Sequence, residues 1–520
     1  MANRIEAAMR MFTEPRHFKL RLFVEGNIIG VFTGLLIALF RRLLELSEQA
    51  APVLYAWLAV HPAWIGGWAA LLMLIGWILY RIVRWDGMTS GSGIPQIKGI
   101  LLGRMDMNWA RVLVLKFAGA VLGIGAGLSL GREGPSVQLG ACIGQGLGRV
   151  THRSYSENHY LLTAGAGAGL AAAFNAPLAG VIFCLEELTK NFSPFVLMGT
   201  IAAAVTSTTV TQYFFGMEPV FHLGDIPVVS AGSVYILLIA LGAFVGTLGL
   251  AFNSMLTVSL DGYMKAPVPG WMKPMIPLLT AGVLGFVLPQ VLGGGSRLVD
   301  SLVLTDYPVL FLLLLLAGKF AFTMLCFGSG VPGGIFLPML VLGALSGAVF
   351  ARAAVLLGIM DPVWTVNCII FGMAAYFSAV VKSPVTGAVL IMEMTGSFDH
   401  LLALILVSMT AYLVADLAGR EPVYDMLLNR SLALQDKLSR HIRKRRIVFE
   451  TGIGAGSLLA GRCVRQIPWP VGSLLVNVRR GSEEITPTGE LRLREGDELY
   501  LLIDASRQEE MERLTAEKLT

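Results

Sequence analysis

Residues 116–144 read KFAGAVLGIGAGLSLGREGPSVQLGACIG, and residues 319–347 read KFAFTMLCFGSGVPGGIFLPMLVLGALSG. At a displacement of 203 positions, 12 of the 29 positions match without a gap. The matches include Lys116 with Lys319, Gly131 with Gly334, Pro135 with Pro338, Gly140 with Gly343 and Gly144 with Gly347. Repeated halves with Gly and Pro at corresponding places are typical of transporters that bind their substrate where the halves meet.

The repetition continues on both sides of this stretch. It pairs GLAAAF (169–174) with GMAAYF (372–377), APLAG (176–180) with SPVTG (383–387) after a four-residue insertion, and GSG (91–93) with a nearby GGG (293–295). Two halves of about 91–216 and 293–418 therefore share one design. The repeat alone leaves open whether the halves are parallel or inverted.

The composition excludes a soluble globular protein. The chain is 55% hydrophobic and 14% charged, and its mean hydropathy is +0.68. Apolar stretches long enough for a bilayer core include residues 65–80, 234–252, 308–327 and 402–414 with their flanks. The 59 glycines suit close helix packing in lipid. We predict an all-α polytopic membrane protein.

Basic residues flank the apolar region at both ends. The start, MANRIEAAMRMFTEPRHFKLRLF, is too polar for a cleavable signal peptide, and SRHIRKRR (439–446) follows the last apolar segment. By the positive-inside rule, both termini are expected in the cytoplasm. The net charge of +5 then reflects orientation and not nucleic-acid binding, although a solvated linker fits the second run equally well.

Beyond residue 430 the sequence becomes charged and alternating. We expect a transmembrane domain over 1–430, a basic linker over 431–445 and a small α/β domain over 446–520, with strands in SLLVNVRRG and GELRLREGDELYLLI and a helical tail in RQEEMERLTAEKL. The five cysteines lack CxxC spacing and four lie in apolar segments, so neither disulfides, a metal nor a cofactor is predicted.

Three segments, GSGIP (91–95), GREGP (131–135) and GGIFLP (333–338), have the composition of anion-binding loops. Backbone N–H groups at helix N-termini supply partial positive charge without a buried cation. Glycine permits close approach, and Pro early in a helix loses no needed donor. We predict an anion site where these helix ends converge; the backbone candidates are Gly91, Gly93, Gly131, Arg132, Gly134 and Gly334.

The repeat separates the acidic residues into two kinds. Glu186 aligns with Glu393, so both are interpreted as structural acids bonded to backbone or hydroxyl groups. Glu133 and Glu187 instead align with Phe336 and Met394, so the shared fold does not require them. Carboxylates within the membrane are functional candidates.

Glu133 lies among the expected anion donors, where its carboxylate can compete with the anion and, once protonated, carry a proton. The alternative is a permanent ion pair with Arg132. For Glu187 the alternative is an interfacial acid followed by Lys190. Both alternatives stay open at the level of sequence.

Two other classes of function receive weak support. GLSLG (127–131) fits the hydrolase pattern GxSxG and suggests an enzyme using Ser129, but it lacks the strand–turn–helix context of a nucleophile elbow. Potassium transport is suggested by the C-terminal region alone, and no TVGYG-like filter is present. We therefore expect a non-enzyme.

GSGIPQIKG (91–99), GREGPSVQLG (131–140), AAAFNAPLAG (171–180), GGIFLPML (333–340) and EPVY (421–424) together resemble the CLC family of chloride channels and proton-coupled chloride transporters. The resemblance covers roughly residues 20–430. It implies an inverted-repeat helical bundle that forms homodimers, with a separate pore in each subunit, in the lipid of a bacterial inner membrane.

By the same resemblance, Ser92 and Tyr424 donate hydroxyls to a central chloride, and the N–H groups of Ile335 and Phe336 complete that site. Glu133 matches the external gating glutamate, and Glu187 the internal proton-transfer glutamate of the transporters. The chain departs from the family at Gln96 and Lys98, where many relatives carry acids.

The C-terminal region resembles the TrkA-C module of potassium-transport regulators and lacks paired CBS domains. It implies a regulatory role with an unidentified small ligand, or a domain that serves assembly alone. The whole chain is thus expected to exchange chloride for protons. Glu133 is expected to gate the anion path and carry the proton, and Glu187 to relay the proton from the cytoplasmic side. A passive chloride channel with the same pore is the alternative.

Overall fold

The structure is a computed structural model. It describes residues 15–439 apart from 218, 222–225 and 229–231, and residues 446–504 apart from 454–456, 458, 471 and 481–482, together with 510 and 511. The N-terminal 14 residues, most of the basic run and most of the expected helical tail lie outside the described residues. Internal contacts divide the chain into two units, Met1–Asn429 and Arg430–Thr520.

The first unit is built of helices joined by loops, and the helix that begins at Val423 continues past the unit's boundary at Asn429. Its helices are α1 Pro15–Val60, α2 Ile65–Trp85, α3 Ile94–Leu101, α4 Trp109–Gly125, α5 Glu133–Val150, α6 Tyr155–Phe174, α7 Pro177–Phe183, α8 Pro194–Phe215, α9 Gly232–Lys265, α10 Met275–Val287, α11 Ser296–Leu304, α12 Val309–Gly328, α13 Phe336–Leu356, α14 Thr365–Val381, α15 Pro384–Thr395, α16 Leu401–Leu417 and α17 Val423–Ser439. A π-helical turn, Cys184–Leu188, follows α7. Since α17 continues to Ser439, residues 431–439 of the expected linker are helical.

Within the described residues, nine helices are long and apolar enough to cross a membrane. They are α1, α2, α8, α9, α12, α13, α14 and α16, together with the segment Gly270–Val287, which ends in α10. The four apolar stretches singled out in the sequence lie in α2, α9, α12 and α16, apart from Pro308. Shorter helices such as α3, α7 and α15 lie between them. The expected polytopic all-α membrane fold is confirmed.

The repeated glycines bring equivalent helix pairs into backbone contact. In the first half, α5 packs on α6, and a Cβ on Gly140 would collide with the backbone of Gly165. In the second half, α13 packs on α14, and a Cβ on Gly343 would lie 2.5 Å from the carbonyl oxygen of Gly372. Small residues permit this close packing of helices in a membrane.

The two halves also pair directly. Gly131 N donates to Gly334 O at 2.7 Å, and Gly334 N donates to Gly131 O at 2.8 Å, as an antiparallel bridge. Equivalent segments that run antiparallel are the geometry of an inverted repeat, which the sequence had left open.

A buried lysine fixes the loop before α3, and its repeat equivalent fixes the loop before α11. Lys116 Nζ donates to Thr89 O at 3.0 Å and to Gly91 O at 2.6 Å. Lys319 Nζ donates in the same way to the carbonyls of residues 291 and 293, at 3.0 and 2.7 Å. Both lysines are fully buried, so carbonyl oxygens replace the water that would otherwise solvate them.

The second unit contains an antiparallel sheet of β1 Arg446–Gly452, β2 Leu474–Arg480, β3 Glu483–Ile485 and β4 Asp497–Asp504, in the order β1-β4-β2-β3. Its core includes Val478, Leu493, Leu499, Leu501 and Ile503. Alternating side chains of β4 supply three of these, as expected for a strand with one buried face. The tail's helical prediction can be followed only at residues 510 and 511, which are helical.

Candidate functional site

The three glycine-rich segments meet between the two halves. Gly91 and Gly93 adopt φ of +62° and +97°, and the latter is the N-cap of α3, so a side chain at either would be strained. Ser92 lies between them. Gly134 lies so close to Ser92 and Gly334 that a Cβ there would be 2.8 Å from Ser92 O and 3.2 Å from the Cα of Gly334. The predicted convergence of these loops is therefore present.

Ser92 Oγ and Tyr424 Oη are among the buried hydroxyl groups that have no hydrogen-bond partner among the described residues. Their side chains are 2% and 0% exposed. Buried polar groups are normally paired, so these donors fit an anion as their partner.

The N-terminus of α13 supplies backbone donors at the same place. Ile335 is its N-cap and Phe336 its first residue, and both are fully buried. N–H groups in a first helical turn have no intrahelical acceptor and favour negative charge. The Phe336 ring packs against Phe174 and Phe377, at centroid distances of 5.2 and 4.8 Å, which fixes the position of this helix end.

Glu133 bridges from one half to the donors of the other. It is the first residue of α5 and is fully buried, and its Oε2 accepts from Leu337 N at 3.3 Å. Its Oε1 has no hydrogen-bond partner in the described part of the chain, and Arg132 Nε lies 3.8 Å away. Arg132 also donates to Ala173 O at 3.4 Å. The carboxylate thus lies at a helix N-terminus, with a cation near it but not hydrogen-bonded to it.

Glu187 lies in the π-helical turn and is 2% exposed. Its Oε1 accepts from Lys98 Nζ at 2.7 Å, and its Oε2 accepts from Ser383 Oγ at 3.0 Å. Lys190, the neighbour suggested by the sequence, instead binds Asp425 at 2.7 Å. Glu187 is therefore a buried carboxylate paired with Lys98, and Lys190 pairs with a different acid.

The two aligned acids have the structural role that the repeat indicated. Glu186 accepts from the N–H groups of Val385 and Thr386, in the first turn of α15, at 3.2 and 2.7 Å. Glu393 accepts from the N–H groups of Leu178 and Ala179, in the first turn of α7, at 3.0 and 2.7 Å. Each half thus caps a helix of the other, which confirms this prediction.

Ser129 is not arranged as a nucleophile. Its buried Oγ lies 2.8 Å from Thr323 Oγ1, on α12 of the other half. A nucleophilic serine needs a base within hydrogen-bond reach, whereas this partner is another hydroxyl.

The five cysteines are all buried free thiols.

Reasoning from sequence missed the residues that surround Glu187. Ser383, Asp425 and Lys98 come from three separate segments that the fold brings together. The departure at Lys98 was visible, but nothing in the sequence connected it to Glu187. The contacts of the two buried lysines with loop carbonyls could have been predicted, because Lys116 and Lys319 match in the repeat.

The comparisons with known proteins agree with this architecture. The family model described as "Voltage gated chloride channel" matches residues 71–416, and a TrkA-C domain model matches residues 449–516. An H(+)/Cl(-) exchange transporter ClcA of Vibrio parahaemolyticus is 35% identical over 446 residues, which is 83% of this chain and 94% of that protein. A Vibrio cholerae protein of the same name is 36% identical over 431 residues, 78% of this chain and 89% of the relative.

Solved structures share the fold. A slow cyanobacterial Cl-/H+ antiporter is 31% identical, with a TM-score of 0.74 over 80% of this chain and 99% of that one. A eukaryotic CLC transporter, at 22% identity, shows the fold alone, with a TM-score of 0.67 over 87% of this chain and 79% of that one. Since the family model spans well over half of the sequence, this chain belongs to the voltage gated chloride channel (CLC) family.

Proposed function

We propose that this protein exchanges chloride for protons across the membrane. The observation that carries the proposal is the Glu133 carboxylate, which accepts a hydrogen bond from Leu337 N in the first turn of α13. An anion bound at this helix end and the ionised carboxylate would compete for the same donors. Exchange follows if Glu133 leaves the donors when it is protonated and returns when it releases the proton.

The chloride site proposed here consists of the hydroxyls of Ser92 and Tyr424 with the N–H groups of Ile335 and Phe336. Neutral donors suit a transported anion, because a full cation in a low-dielectric site would hold the ion too strongly to release it. The two unpaired hydroxyls and the first turn of α13 support this assignment. Gly91, Gly93, Gly131, Arg132, Gly134 and Gly334 shape the surrounding backbone.

Glu187 is proposed to pass protons between the cytoplasm and Glu133. Its burial and its position on one half only support a role beyond the shared fold. Relatives named as H(+)/Cl(-) exchange transporters and a Cl-/H+ antiporter of known structure support coupled exchange. A passive channel through the same site is the alternative.

We further propose a homodimer in the bacterial inner membrane, with both termini in the cytoplasm and lipid around the helices. Large apolar side chains exposed on α7, α8, α15 and α16, among them Leu178, Ile201, Val385 and Met409, supply a surface for a second copy or for lipid. The TrkA-C-like region is proposed to regulate transport by binding a small ligand in the cytoplasm.

The proposal is tested with purified protein in liposomes, by recording chloride and proton fluxes together. Glu133→Gln should abolish proton coupling, because an amide cannot carry the proton. Glu187→Gln should stop proton flux and spare chloride flux. Glu186→Gln is the matched control, since Glu186 caps α15 and should leave the coupling unchanged. Coupled pumping in Glu133→Gln would refute the gating role, and joint loss of both fluxes in Glu187→Gln would indicate a structural one.

A further inference from the structure

Glu187 and three other charged residues form a cluster, which we name the Lys98 cluster. It consists of Lys98, Glu187, Lys190 and Asp425. Lys98 Nζ binds Glu187 Oε1 at 2.7 Å and also contacts Asp425 Oδ1. Lys190 Nζ binds Asp425 Oδ2 at 2.7 Å. Lys98 is therefore shared between two carboxylates.

The two carboxylates differ in their other partners. Asp425 has a second cation in Lys190, and its side chain is 24% exposed. Glu187 is 2% exposed, and among the described residues Lys98 supplies its only salt bridge. The charge of Glu187 thus depends on Lys98 far more than that of Asp425 does, since a buried carboxylate without a cation is strongly disfavoured.

Lys98 also joins the two segments that carry the unpaired hydroxyls. It lies on α3, which begins just after Ser92, and it is 4% exposed. Asp425 lies in the first turn of α17, next to Tyr424. The pair Lys98–Asp425 therefore links the two hydroxyl-bearing segments beside the buried Glu187.

We propose that Lys98 is a positioning residue for proton transfer, the shared counter-ion that sets the pH at which Glu187 takes up its proton. This rests on the proposed function of Glu187. When Glu187 is ionised, Lys98 neutralises and orients its carboxylate. When a proton from water binds a Glu187 oxygen, the ion pair is lost and Lys98 retains its pairing with Asp425. Release of that proton restores the original state.

The groups that face Glu187 fix the sign of the effect. They are Lys98 from α3 and Ser383 ahead of α15, which hydrogen-bond to it, and Asp425 from α17, which shares Lys98 with it and has Lys190 as its second cation. Removing the positive charge of Lys98 favours the protonated carboxyl. Removing the negative charge of Asp425 favours the ionised carboxylate and leaves Lys98 to Glu187 alone.

The test measures proton flux against pH in liposomes and compares the pH at which the flux falls to half its maximum. Lys98→Met should move this midpoint upward by about one pH unit or more, as expected for loss of an opposite charge in contact. Asp425→Asn should move it downward. Lys98→Arg keeps the charge and should stay near the wild-type midpoint. Lys273→Met is the control, because Lys273 donates to Tyr263 O and lies outside the cluster.

Opposite shifts in the two charge-removing variants support the proposal, and a stable Asp425→Asn tests it even if Lys98→Met does not fold. An unchanged midpoint in either folded variant, or an equal shift in Lys273→Met, would overturn it. Glu187→Gln separates the two hypotheses. If Glu187→Gln keeps full proton flux, the proposed function of Glu187 fails. If that flux is lost while Lys98→Met behaves as wild type, only the role of Lys98 fails.

Discussion

Gly131 and Gly334 occupy equivalent positions in the two halves of the repeat and are hydrogen-bonded to each other in both directions, at 2.7 and 2.8 Å. The two halves of the repeat thus meet at these two residues. Glu133 follows Gly131 by two positions, and Phe336 follows Gly334 by two. At the centre of a symmetric framework, one half presents a carboxylate and the other presents a helix N-terminus that can receive it.

Gly134→Ala should disturb the anion site. A Cβ would lie 2.8 Å from Ser92 O and 3.2 Å from the Cα of Gly334, so one of the loops has to move. Overpacking of this kind costs about 1–3 kcal/mol. Chloride binding measured by calorimetry should weaken, with a lower unfolding temperature in detergent. Gly66→Ala is the control, because no described atom beyond its chain neighbours and its own helix backbone lies within 4 Å of its Cβ position. Equal losses in both variants would contradict the assignment.

Tyr424→Phe should weaken chloride binding while leaving the fold intact. The Tyr424 hydroxyl is buried and has no partner among the described residues, so its removal deprives no protein group of a hydrogen bond. A hydrogen bond to a charged group contributes about 1.5–3 kcal/mol, so binding should weaken by about tenfold or more. Calorimetric titration with chloride measures this, and an unchanged affinity would exclude the hydroxyl from the site.

Glu186→Gln and Glu393→Gln should have similar effects on stability. Each acid caps a helix of the opposite half through two backbone N–H groups. Loss of the carboxylate charge at the cap should lower the free energy of unfolding by about 0.5–2 kcal/mol. Thermal unfolding in detergent measures this cost, and the ratio of proton to chloride flux in liposomes should stay constant. A changed ratio would show that these acids take part in transport.

The second unit should lose stability in acid through Asp497. This fully buried carboxylate accepts from Arg480 Nε and Nη2 at 2.7 and 2.8 Å and from Arg494 N at 2.8 Å. Burial alone would raise the pKa of Asp497, but the hydrogen bonds and charge of Arg480 with the Arg494 N–H outweigh it, and the pKa lies below its usual value. The stabilisation is therefore complete above the ordinary Asp pKa, near pH 4, and is lost as the pH falls through the lowered value.

Asp497→Asn should remove this stabilisation at neutral pH. The free energy of unfolding should fall by about 2 kcal/mol, which corresponds to roughly 30-fold faster hydrogen exchange in β2 and β4 of the full-length protein. Wild-type protection should stay constant from pH 7 to about 5, after correction for intrinsic rates, and fall below about pH 4. Asp497→Asn should be less sensitive to that acidification. Equal acid sensitivity in both proteins would assign the effect to another group.

The repeat made much of this structure predictable from the sequence. The 59 glycines predicted close helix packing, which Gly140 and Gly343 show in the two halves, and the paired acids Glu186 and Glu393 predicted a structural role. Both follow from local pattern and symmetry, because equivalent residues in an inverted repeat have equivalent surroundings. The same comparison singled out Glu133 as an addition to one half.

The surroundings of Glu187 could not be predicted in this way. Lys98, Ser383 and Asp425 are distant from Glu187 in sequence, and the repeat equivalent of Glu187 is Met394, which forms no ion pair, so only the folded chain brings them together. The extension of α17 beyond residue 430 was also not predicted, because its charged sequence resembles a linker. Long-range charge pairing and helix length in polar segments depend on tertiary contacts that a pattern does not encode.

Proton movement driven by a chloride gradient tests the central claim most directly. Purified wild-type protein is reconstituted in liposomes with a chloride gradient and no initial pH gradient, and the external pH is recorded. Coupled exchange predicts that protons move against their own developing gradient, and that the movement disappears in Glu133→Gln. Chloride flux without any proton movement in the wild-type protein would contradict exchange and identify the protein as a passive channel.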